Sequence, residues 1–351
     1  MSEPLPLLTH SEVQTFQRCP REHFYRYKLR RRPRSESYAL RFGKMFDEAL
    51  QAWWTAGPLH GCDSMLARLE EFAKEQRTDR FDVAKARALL LGYDARWVNE
   101  PYEVIRVQPM FRTAIVNPRT GRPSKVYELG GKLDVLVRDV RTREILIVET
   151  KTTSDKIERE SSYWRTITAL DPQVSTYFKG ARKILSDVGL KEEAVRCVYD
   201  VVHKPKLLPL KATPPESQKF RQKDGELYSN MRKTDETPDE YEQRVSEDIL
   251  GQPLGTVPLV IDEEKARDAS MKYFARGDIV RLEQDEREHA DDLWQTAQII
   301  RDNELAKRAP RHRGSCKRYG GMCPYFSVCS GTARIEEFPI VEDKHEELKE
   351  I

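Results

Sequence analysis

Several features that would define the class of this 351-residue chain are missing from it. No run of about 18 apolar residues is present, which excludes a hydrophobic helix spanning a bilayer. Residues 1–10 lack the basic and apolar regions of a signal peptide, so we expect a cytoplasmic protein with no membrane partner. No Gly-x-x-x-x-Gly-Lys-Ser/Thr loop occurs either, which excludes a nucleotide-driven motor of the P-loop type.

The chain also lacks a clear excess of positive or negative charge. The 60 Lys and Arg residues nearly balance the 58 Asp and Glu residues, so a surface for a polyanion has to come from local clustering. Six cysteines are present, and in a reducing compartment clustered thiols are more typical of a metal or iron-sulfur site than of disulfides. With 38% hydrophobic and 34% charged residues, the chain has enough apolar material for a core beneath a highly charged surface.

Periodicity and composition divide the chain into five segments. These are a helical N-terminal region (1–100), a strand-rich core (101–203), a polar insertion or arm (204–250), a C-terminal helical region with a cysteine-rich loop (251–335) and an acidic tail (336–351). The succession of strand, helix and strand in the core predicts a mixed α/β sheet. The acidic tail is expected to fray.

The strand-rich core contains a predicted hairpin that carries the most informative charges. Residues 131–138 and 144–151 have the period-two pattern of strands and are predicted to pair antiparallel. Because side chains alternate faces along a strand, Glu149 and Lys151 are predicted to point the same way, with Asp134 on the neighbouring strand. Further strands are predicted at 257–261 and 271–275, and helices over 172–185 and 279–305.

These three charged residues have the chemistry of a metal-dependent hydrolytic site. Asp134 and Glu149 supply the hard oxygen ligands that magnesium or manganese prefers, and Lys151 can position or polarise a water. A divalent ion held there lowers the pKa of that water and offsets the charge that builds on a scissile phosphate. A solvated hairpin with scattered charges is the plain alternative for a Glu-x-Lys pair taken alone.

Taken in order along the chain, these pieces resemble the PD-(D/E)XK nuclease superfamily. The likeness is to its RecB-like branch, which includes the AddB nuclease domain and the CRISPR-associated iron-sulfur exonucleases. Gly131-Lys132-Leu133-Asp134 resembles the metal-binding aspartate strand of that family, although a literal Pro-Asp dipeptide is absent, and Glu149-Thr150-Lys151 resembles its Glu-x-Lys element. The resemblance implies catalytic roles for Asp134, Glu149 and Lys151, with Thr150 included in the metal ligand set.

The same resemblance implies an α/β fold with a restriction-endonuclease-like core. A central mixed β-sheet is expected between flanking helices, with a helical N-terminal part and a C-terminal iron-sulfur loop added to it. In the helix predicted over 172–185, Gln173 and Tyr177 resemble the Gln-x-x-x-Tyr motif of the branch. Their spacing of four places both on one helical face, where they are expected to contact DNA or orient Lys151; an ordinary helix face is the alternative.

An upstream helix matches the family with one departure. Residues 42–50 resemble the Gly-x-x-x-His helix of the branch, whose histidine ligates the catalytic metal, but this chain has Asp47 at that position. Aspartate is a harder ligand that suits magnesium, so Asp47 is included in the expected metal set, with an ordinary exposed helix aspartate as the alternative. None of the seven histidines occupies the motif position.

Four cysteines form a separate constellation. Cys316, Cys323 and Cys329 gather three thiolates in a Gly- and Pro-containing loop, and the distant Cys19 can supply a fourth. Four thiolates suit iron-sulfur or zinc. The arrangement resembles the one early and three late cysteines that hold a 4Fe-4S cluster in the family, with a longer first gap, and zinc stays open as the alternative.

Two basic segments adjoin this constellation and are expected to meet DNA. One is the run 28–34, and the other is the stretch 307–318, beside which Tyr325 and Phe326 are available for base stacking.

The resemblance implies a metal-dependent DNA exonuclease or end-processing nuclease that hydrolyses phosphodiester bonds in repair, recombination or defence. DNA that is single-stranded or has free ends is the expected partner, and a helicase or recombination protein is expected to supply any unwinding. Two alternatives remain open. One is a catalytically weak DNA-binding subunit of a recombination or CRISPR adaptation complex, which the departure at Asp47 favours, and the other is a metal-poor structural protein.

Overall fold

The computed structural model of the chain describes residues 4–34, 37–254, 261–318, 321–345 and 348. The strand predicted at 257–261 lies outside the described residues apart from residue 261, which belongs to no strand. Within the described ranges, no helix is both long and apolar enough to cross a membrane.

The N-terminal part of the chain is mostly helical, a run of strands follows, and helices and strands alternate in the remainder. The α-helices are α1 His10–Arg18, α2 Pro20–His23, α3 Tyr38–Ala56, α4 Gly61–Gln76, α5 Arg80–Trp97, α6 Ser162–Leu170, α7 Pro172–Asp187, α8 Pro238–Leu250, α9 Glu263–Ala269, α10 Glu283–Leu305 and α11 Phe326–Ser330. The strands are β1 Leu7–Leu8, β2 Tyr102–Val107, β3 Met110–Val116, β4 Pro123–Lys132, β5 Val135–Asp139, β6 Ile145–Thr153, β7 Ala194–His203, β8 Phe274–Ile279, β9 Lys317–Arg318 and β10 Gly321–Met322.

The central sheet has five strands in the order β2-β5-β6-β7-β8. β6 and β7 run parallel, while the other neighbours are antiparallel, so the sheet is mixed. Helices cover both of its faces, which confirms the predicted α/β class and agrees with a restriction-endonuclease-like core. β6 lies at the middle of the sheet, where a side chain is remote from both sheet edges.

One predicted strand is broken in two. The sequence predicts a continuous strand over 131–138, but β4 ends at Lys132 and β5 begins at Val135. β4 pairs with β3 in a separate three-stranded sheet, whereas β5 pairs with β6 in the central sheet. The chain changes sheets at Leu133 and Asp134, and this places Asp134 at the junction of the two sheets rather than within a strand.

A second difference lies between residues 270 and 283. The strand predicted at 271–275 begins later, at Phe274, because residues 270–273 form a 3-10 turn, and β8 then pairs with β7. The helix predicted from residue 279 begins at Glu283. Its start is fixed by Asp285, whose carboxylate accepts a hydrogen bond from the Leu282 N–H at 2.8 Å.

Two hydrophobic cores lie on opposite faces of the central sheet. One contains apolar residues of α3, α4, α5 and α8 with the β6 residues Leu146 and Val148. The other contains apolar residues of α1, α7 and α10 with Ile145 and Ile147 of the same strand. The alternation along β6 follows the period of two in a strand, so residues 145, 147, 149 and 151 all face the α7 side.

The two ends of the chain pack together. The Arg21 N–H donates to the Pro310 carbonyl at 3.0 Å, and the Ser315 hydroxyl donates to the Arg18 carbonyl at 2.8 Å. Tyr325, which the sequence offers for base stacking, is 1% exposed, and its hydroxyl donates to a main-chain carbonyl at 2.6 Å. Its ring is therefore part of the junction between the termini and is not available to a base.

The basic run near the N-terminus is occupied by the C-terminal tail. The backbone of Arg31 pairs with Ile340 in an antiparallel bridge, and the Val341 N–H donates to the Arg30 carbonyl at 2.9 Å. Side chains of the run also donate to main-chain carbonyls of the tail, namely those of Arg30, Arg31, Arg32 and Arg34. The expectation that the tail frays is wrong for the described tail residues, because they are hydrogen-bonded to the basic run. Arg30 and Arg34 stay exposed, and contact of the run with DNA remains a prediction.

Candidate active site

Glu149 and Lys151 lie together on β6, as the strand period predicts. The Glu149 side chain is completely buried, whereas 34% of the Lys151 side chain is exposed. The Lys151 ammonium forms an ion pair with Oε1 of Glu149. The pair therefore reaches from the core to the surface at one end of the sheet.

Asp134 approaches this pair from the junction between the two sheets. β5 and β6 pair Val135 with Val148, so the residue before β5 comes to lie opposite the later part of β6. There the Thr150 N–H donates to Oδ2 of Asp134 at 2.8 Å. Burial and the charge of Glu149 raise the pKa of Asp134 to about 7. The two carboxylates thus repel each other in a buried position.

Gln173 and Tyr177 complete the α7 side of the site. Asp171 caps the helix by accepting from the Gln173 N–H at 2.9 Å, and Pro172 occupies the first helical position. The Gln173 amide donates to the Tyr177 hydroxyl at 2.6 Å, and this hydroxyl donates to Oε1 of Glu149 at 3.2 Å. The motif therefore acts on Glu149, and through Glu149 on Lys151.

Asp47 enters the site from the opposite face of the sheet, on α3. It shares a narrow cavity with Asp134, Thr150 and Gln108. The amide of Gln108 donates to Oδ2 of Asp47 at 3.1 Å. Burial and the charge of Asp134 raise the pKa of Asp47 to about 7, so Asp47 belongs to the carboxylate cluster and is not an ordinary exposed helix residue.

Gln108 is a site residue that the sequence did not reveal. It lies in the turn between β2 and β3, in a left-handed backbone conformation with φ +45°. Its N–H donates to the Asp134 carbonyl at 2.7 Å, and its side-chain oxygen accepts from the Lys132 ammonium at 2.8 Å. In the sequence, Gln108 followed by proline between two strands predicts only a turn. Its contacts with Asp134, Lys132 and Asp47 arise because strands distant in sequence pair with each other.

His10 is a second unexpected neighbour. It is the first residue of α1, and burial together with the nearby charge of Lys151 lowers its pKa to about 4. His10 is therefore neutral at physiological pH. Burial alone would lower the pKa of Lys151, but the charges of Glu149, Tyr177 and Asp134 outweigh it and hold that pKa well above its usual range.

The donors of the site suit a hard divalent cation, although they are not gathered around one point. Glu149 Oε2 is buried without a hydrogen-bond partner among the described residues, and the pKa of Glu149 is raised by burial. A cation beside it would relieve the repulsion between Glu149 and Asp134. Across the described part of the chain, no group of three or more His, Cys, Asp or Glu side chains is arranged to hold a metal ion.

The four cysteines of the predicted constellation come together at the junction of the termini. Cys19, at the end of α1, lines one cavity of about 170 Å³ with Cys316, Cys323 and Cys329. None of the four belongs to a disulfide within the described residues. Burial raises the pKa of the Cys329 thiol, to which nearby Cys19 and Cys316 also contribute. The cavity thus unites the early and the late cysteines that the sequence placed in one group.

The fold and this carboxylate-lysine site define a nuclease-like α/β protein. A family model described as the PD-(D/E)XK nuclease superfamily matches residues 7–330, which is nearly the whole chain. The chain therefore belongs to the PD-(D/E)XK nuclease superfamily. A comparison with curated proteins found no match. Nucleases of this superfamily generally act on DNA with Mg²⁺ or Mn²⁺, and membership supports a metal-dependent nuclease activity for this chain.

Proposed function

We propose that the protein is a metal-dependent DNA exonuclease or end-processing nuclease of the RecB-like branch. The observation that carries this proposal is the convergence of Asp134, Glu149 and Lys151 at one end of the central sheet, in a chain of the nuclease superfamily. Glu149 and Lys151 lie on β6, and Asp134 lies at the junction just before β5. Repair, recombination or defence is the proposed setting, with a helicase or recombination protein as partner.

Asp47, Asp134, Glu149 and Thr150 are the proposed holders of Mg²⁺ or Mn²⁺. Support comes from Oε2 of Glu149, which is buried without a hydrogen-bond partner in the described part of the chain, and from the pKa values of Asp134 and Asp47, both raised to about 7 by burial and neighbouring carboxylates. When bound, a divalent ion lowers the pKa of a coordinated water and offsets charge on the scissile phosphate. The carboxylates, being hard ligands, suit either ion.

The remaining residues position the reacting groups. The Lys151 ammonium, held by Glu149 and partly exposed, is proposed to orient the attacking water and to stabilise charge on the phosphate. Tyr177 holds Glu149 in place, and Gln173 holds Tyr177. In this proposal both are positioning residues that act through Glu149.

A 4Fe-4S cluster is proposed in the cavity lined by Cys19, Cys316, Cys323 and Cys329. Support comes from the four cysteine side chains that line one cavity without forming disulfides among the described residues. Zinc is the alternative occupant, and iron and sulfide analysis of anaerobically purified protein distinguishes the two. The proposed role is structural, because the cavity lies where the N-terminal helices meet the C-terminal loop.

The test is cleavage of DNA labelled at the 5′ or the 3′ end, single- or double-stranded, with Mg²⁺ or Mn²⁺. The wild type is compared with Glu149→Gln and with the exposed control Glu103→Gln. We expect metal-dependent release of short labelled products that the first variant loses and the control keeps. Circular DNA of the same sequence should resist cutting if the enzyme needs ends. Equal cutting by wild type and Glu149→Gln would overturn the assigned site.

A catalytically weak DNA-binding subunit is the second candidate. The observation that favours it is Asp47 at the position where the branch has histidine, bonded here to Gln108. Tight DNA binding by the wild type with no cutting under either metal would select this candidate. Cutting that depends on Glu149 would exclude both it and a metal-poor structural protein.

A further inference from the structure

We propose that residues 204–236 bind single-stranded DNA next to the catalytic strand. These residues are the part of the predicted segment 204–250 that precedes α8, and they are called the arm from here on. In this proposal the rings of Phe220 and Tyr228 stack on bases, and exposed lysines of the arm contact phosphates. The inference rests on the proposed nuclease function and adds a binding surface that none of the family motifs contains.

The arm begins beside the candidate active site. β7 runs parallel to β6 with His203 paired to Thr153, and the arm starts at the next residue, whose N–H donates to the Thr153 carbonyl at 2.7 Å. Thr153 follows Lys151 by two residues on β6, a distance of about 7 Å along the strand. The arm therefore leaves the sheet beside the end of β6 that carries the catalytic lysine, and its first residues pack against α8, where the Tyr241 hydroxyl donates to the Leu207 carbonyl at 2.9 Å.

The base of the arm is closed by a buried ion pair. The Leu210 N–H donates to a carboxylate oxygen of Glu236 at 2.8 Å, and the Glu236 N–H donates to the Leu210 carbonyl at 2.9 Å. Glu236 is buried, and the Arg244 guanidinium donates to both of its oxygens at 2.7 and 2.8 Å. This stem fixes the direction in which the intervening residues leave the protein.

The outer part of the arm is a small hairpin that exposes two aromatic rings. Phe220 pairs with Leu227, and the Tyr228 N–H donates to the Lys219 carbonyl at 3.2 Å. Phe220 is 52% exposed and Tyr228 is 46% exposed. Because they belong to adjacent rungs of the hairpin, their rings lie on opposite faces of the ribbon. Each face of the hairpin thus offers one ring on which a base of an unpaired strand can stack.

The charge of the arm favours a polyanion. It contains eight Lys or Arg residues against five Asp or Glu residues, whereas the whole chain is nearly neutral. Four of its lysines are exposed and have no carboxylate partner within the described residues, namely Lys206, Lys219, Lys223 and Lys233. Apart from Glu216, the acids of the arm are neutralised by nearby cations of the arm or of α8. The exposed cations are thus free to meet phosphates.

The first test measures binding of a fluorescein-labelled 20-nucleotide single strand to the full-length protein in EDTA, so that cleavage does not intervene. We expect the double variant Phe220→Ala with Tyr228→Ala to weaken binding at least about tenfold, because stacking on two bases is lost. The exchange variant Phe220→Tyr with Tyr228→Phe keeps both rings and should bind as the wild type. Leu59→Ala removes an exposed apolar side chain elsewhere and should also leave binding unchanged.

The second test measures the salt dependence of the same binding. Lys219→Ala with Lys223→Ala should lower the slope of log Kd against log salt by about 1.4, since each phosphate contact on a single strand contributes about 0.7. The control pair Lys74→Ala with Lys191→Ala removes two exposed lysines outside the arm and should keep the wild-type slope.

The outcomes separate this inference from the proposed function. If the wild type binds and cuts DNA while both arm variants bind as well as the wild type, the arm proposal alone is overturned, and a protein partner becomes the occupant to test. If the wild type neither binds nor cuts single-stranded or duplex DNA, both proposals are overturned. Cutting that requires Glu149, together with weakened single-strand binding in the arm variants, supports both.

Discussion

Two neighbouring strands of the central sheet each carry a buried carboxylate, Glu149 on β6 and Asp200 on β7, facing opposite sides of the sheet. Asp200 accepts hydrogen bonds at 2.9 Å from both the Tyr93 hydroxyl and the Arg276 guanidinium. This guanidinium also lies 3.5 Å from the centre of the Trp97 ring. The Asp200 carboxylate thus has a matched cation that is itself held by an aromatic ring.

Glu149 also has a cation and a tyrosine, but it has further carboxylates beside it. Asp134 lies next to Glu149, and Asp47 lies next to Asp134, with the pKa of both aspartates raised to about 7 by burial and carboxylate neighbours. Among the described residues, an oxygen without a hydrogen-bond partner occurs on Asp200 as well as on Glu149, so this feature alone does not mark a metal site. Carboxylates that crowd together around too little positive charge are relieved either by taking up a proton, which is why the pKa of both aspartates is raised, or by binding a cation.

The largest expected effect comes from breaking the ion pair between Asp200 and Arg276. Asp200→Ala leaves the buried Arg276 guanidinium with only the Glu100 carboxylate, 3.4 Å away, and should lower the free energy of unfolding by about 3–5 kcal/mol. Glu149→Gln, without divalent ions, should lower it less, because the loss of the ion pair with Lys151 is offset by the loss of the charge that repels Asp134. Urea unfolding in EDTA measures both. A larger loss for Glu149→Gln than for Asp200→Ala would contradict the distinction between the two clusters.

The second prediction concerns the cations. Lys151→Met should slow cleavage by about 10²–10⁴-fold, because a positioned group that assists the attacking water is lost. Lys183→Met removes an exposed lysine of α7 and serves as the matched control. Single-turnover cleavage with saturating Mg²⁺ measures the effect, and a rate within twofold of the control would remove Lys151 from the mechanism.

The third prediction uses the metal itself. At a concentration about 100 times its Kd, Mg²⁺ or Mn²⁺ should stabilise the wild type by about 2.7 kcal/mol, and EDTA should reverse this. Glu149→Gln should lose most of the gain, whereas Asp200→Asn should keep it. Thermal unfolding with and without metal measures the difference. An equal gain in both variants would place the ion elsewhere.

The smallest expected effect comes from a third buried carboxylate, Glu12 of α1. Its oxygens lie 2.8 Å from His23 Nε2 and 2.8 Å from the Lys344 ammonium, and His345 lies at 3.1 Å. Burial alone would raise the pKa of Glu12, but these hydrogen bonds and charges hold it well below its usual range. Glu12 is thus, like Asp200, a buried carboxylate whose charge is balanced by neighbouring cations.

A lowered carboxylate pKa has a defined consequence for stability. The contribution of Glu12 is complete above its unfolded pKa of about 4.5 and is lost as the pH falls below that value. Between pH 6 and pH 3.5 the wild type should therefore lose about 1.4 kcal/mol more stability than Glu12→Gln. Urea unfolding at the two pH values measures this, with Glu103→Gln as the control. Identical losses in the wild type and Glu12→Gln would show that the contacts with the tail do not depend on the charge of Glu12.

Local sequence patterns were sufficient for much of the site. The period of two predicts that Glu149 and Lys151 share a face, and the spacing of four in α7 predicts that Gln173 and Tyr177 do. Asp171 caps α7 and so fixes the residue at which the helix begins, which sets the face on which Gln173 and Tyr177 lie. The sequence missed the break before β5, because 131–138 carries a strand pattern throughout and the change of sheets depends on which partner each half finds.

The sequence by itself determined the elements that carry the chemistry: the apolar periods of the strands and helices, the Glu-x-Lys spacing, and the number and order of the cysteines. Only the tertiary structure decided which charges meet. It brought Asp47, Gln108 and Asp134 together, and it paired the basic run near the N-terminus with the tail. The physical reason is that secondary structure follows local backbone and side-chain preferences, whereas contacts between distant residues follow from burial of the two cores and from strand register.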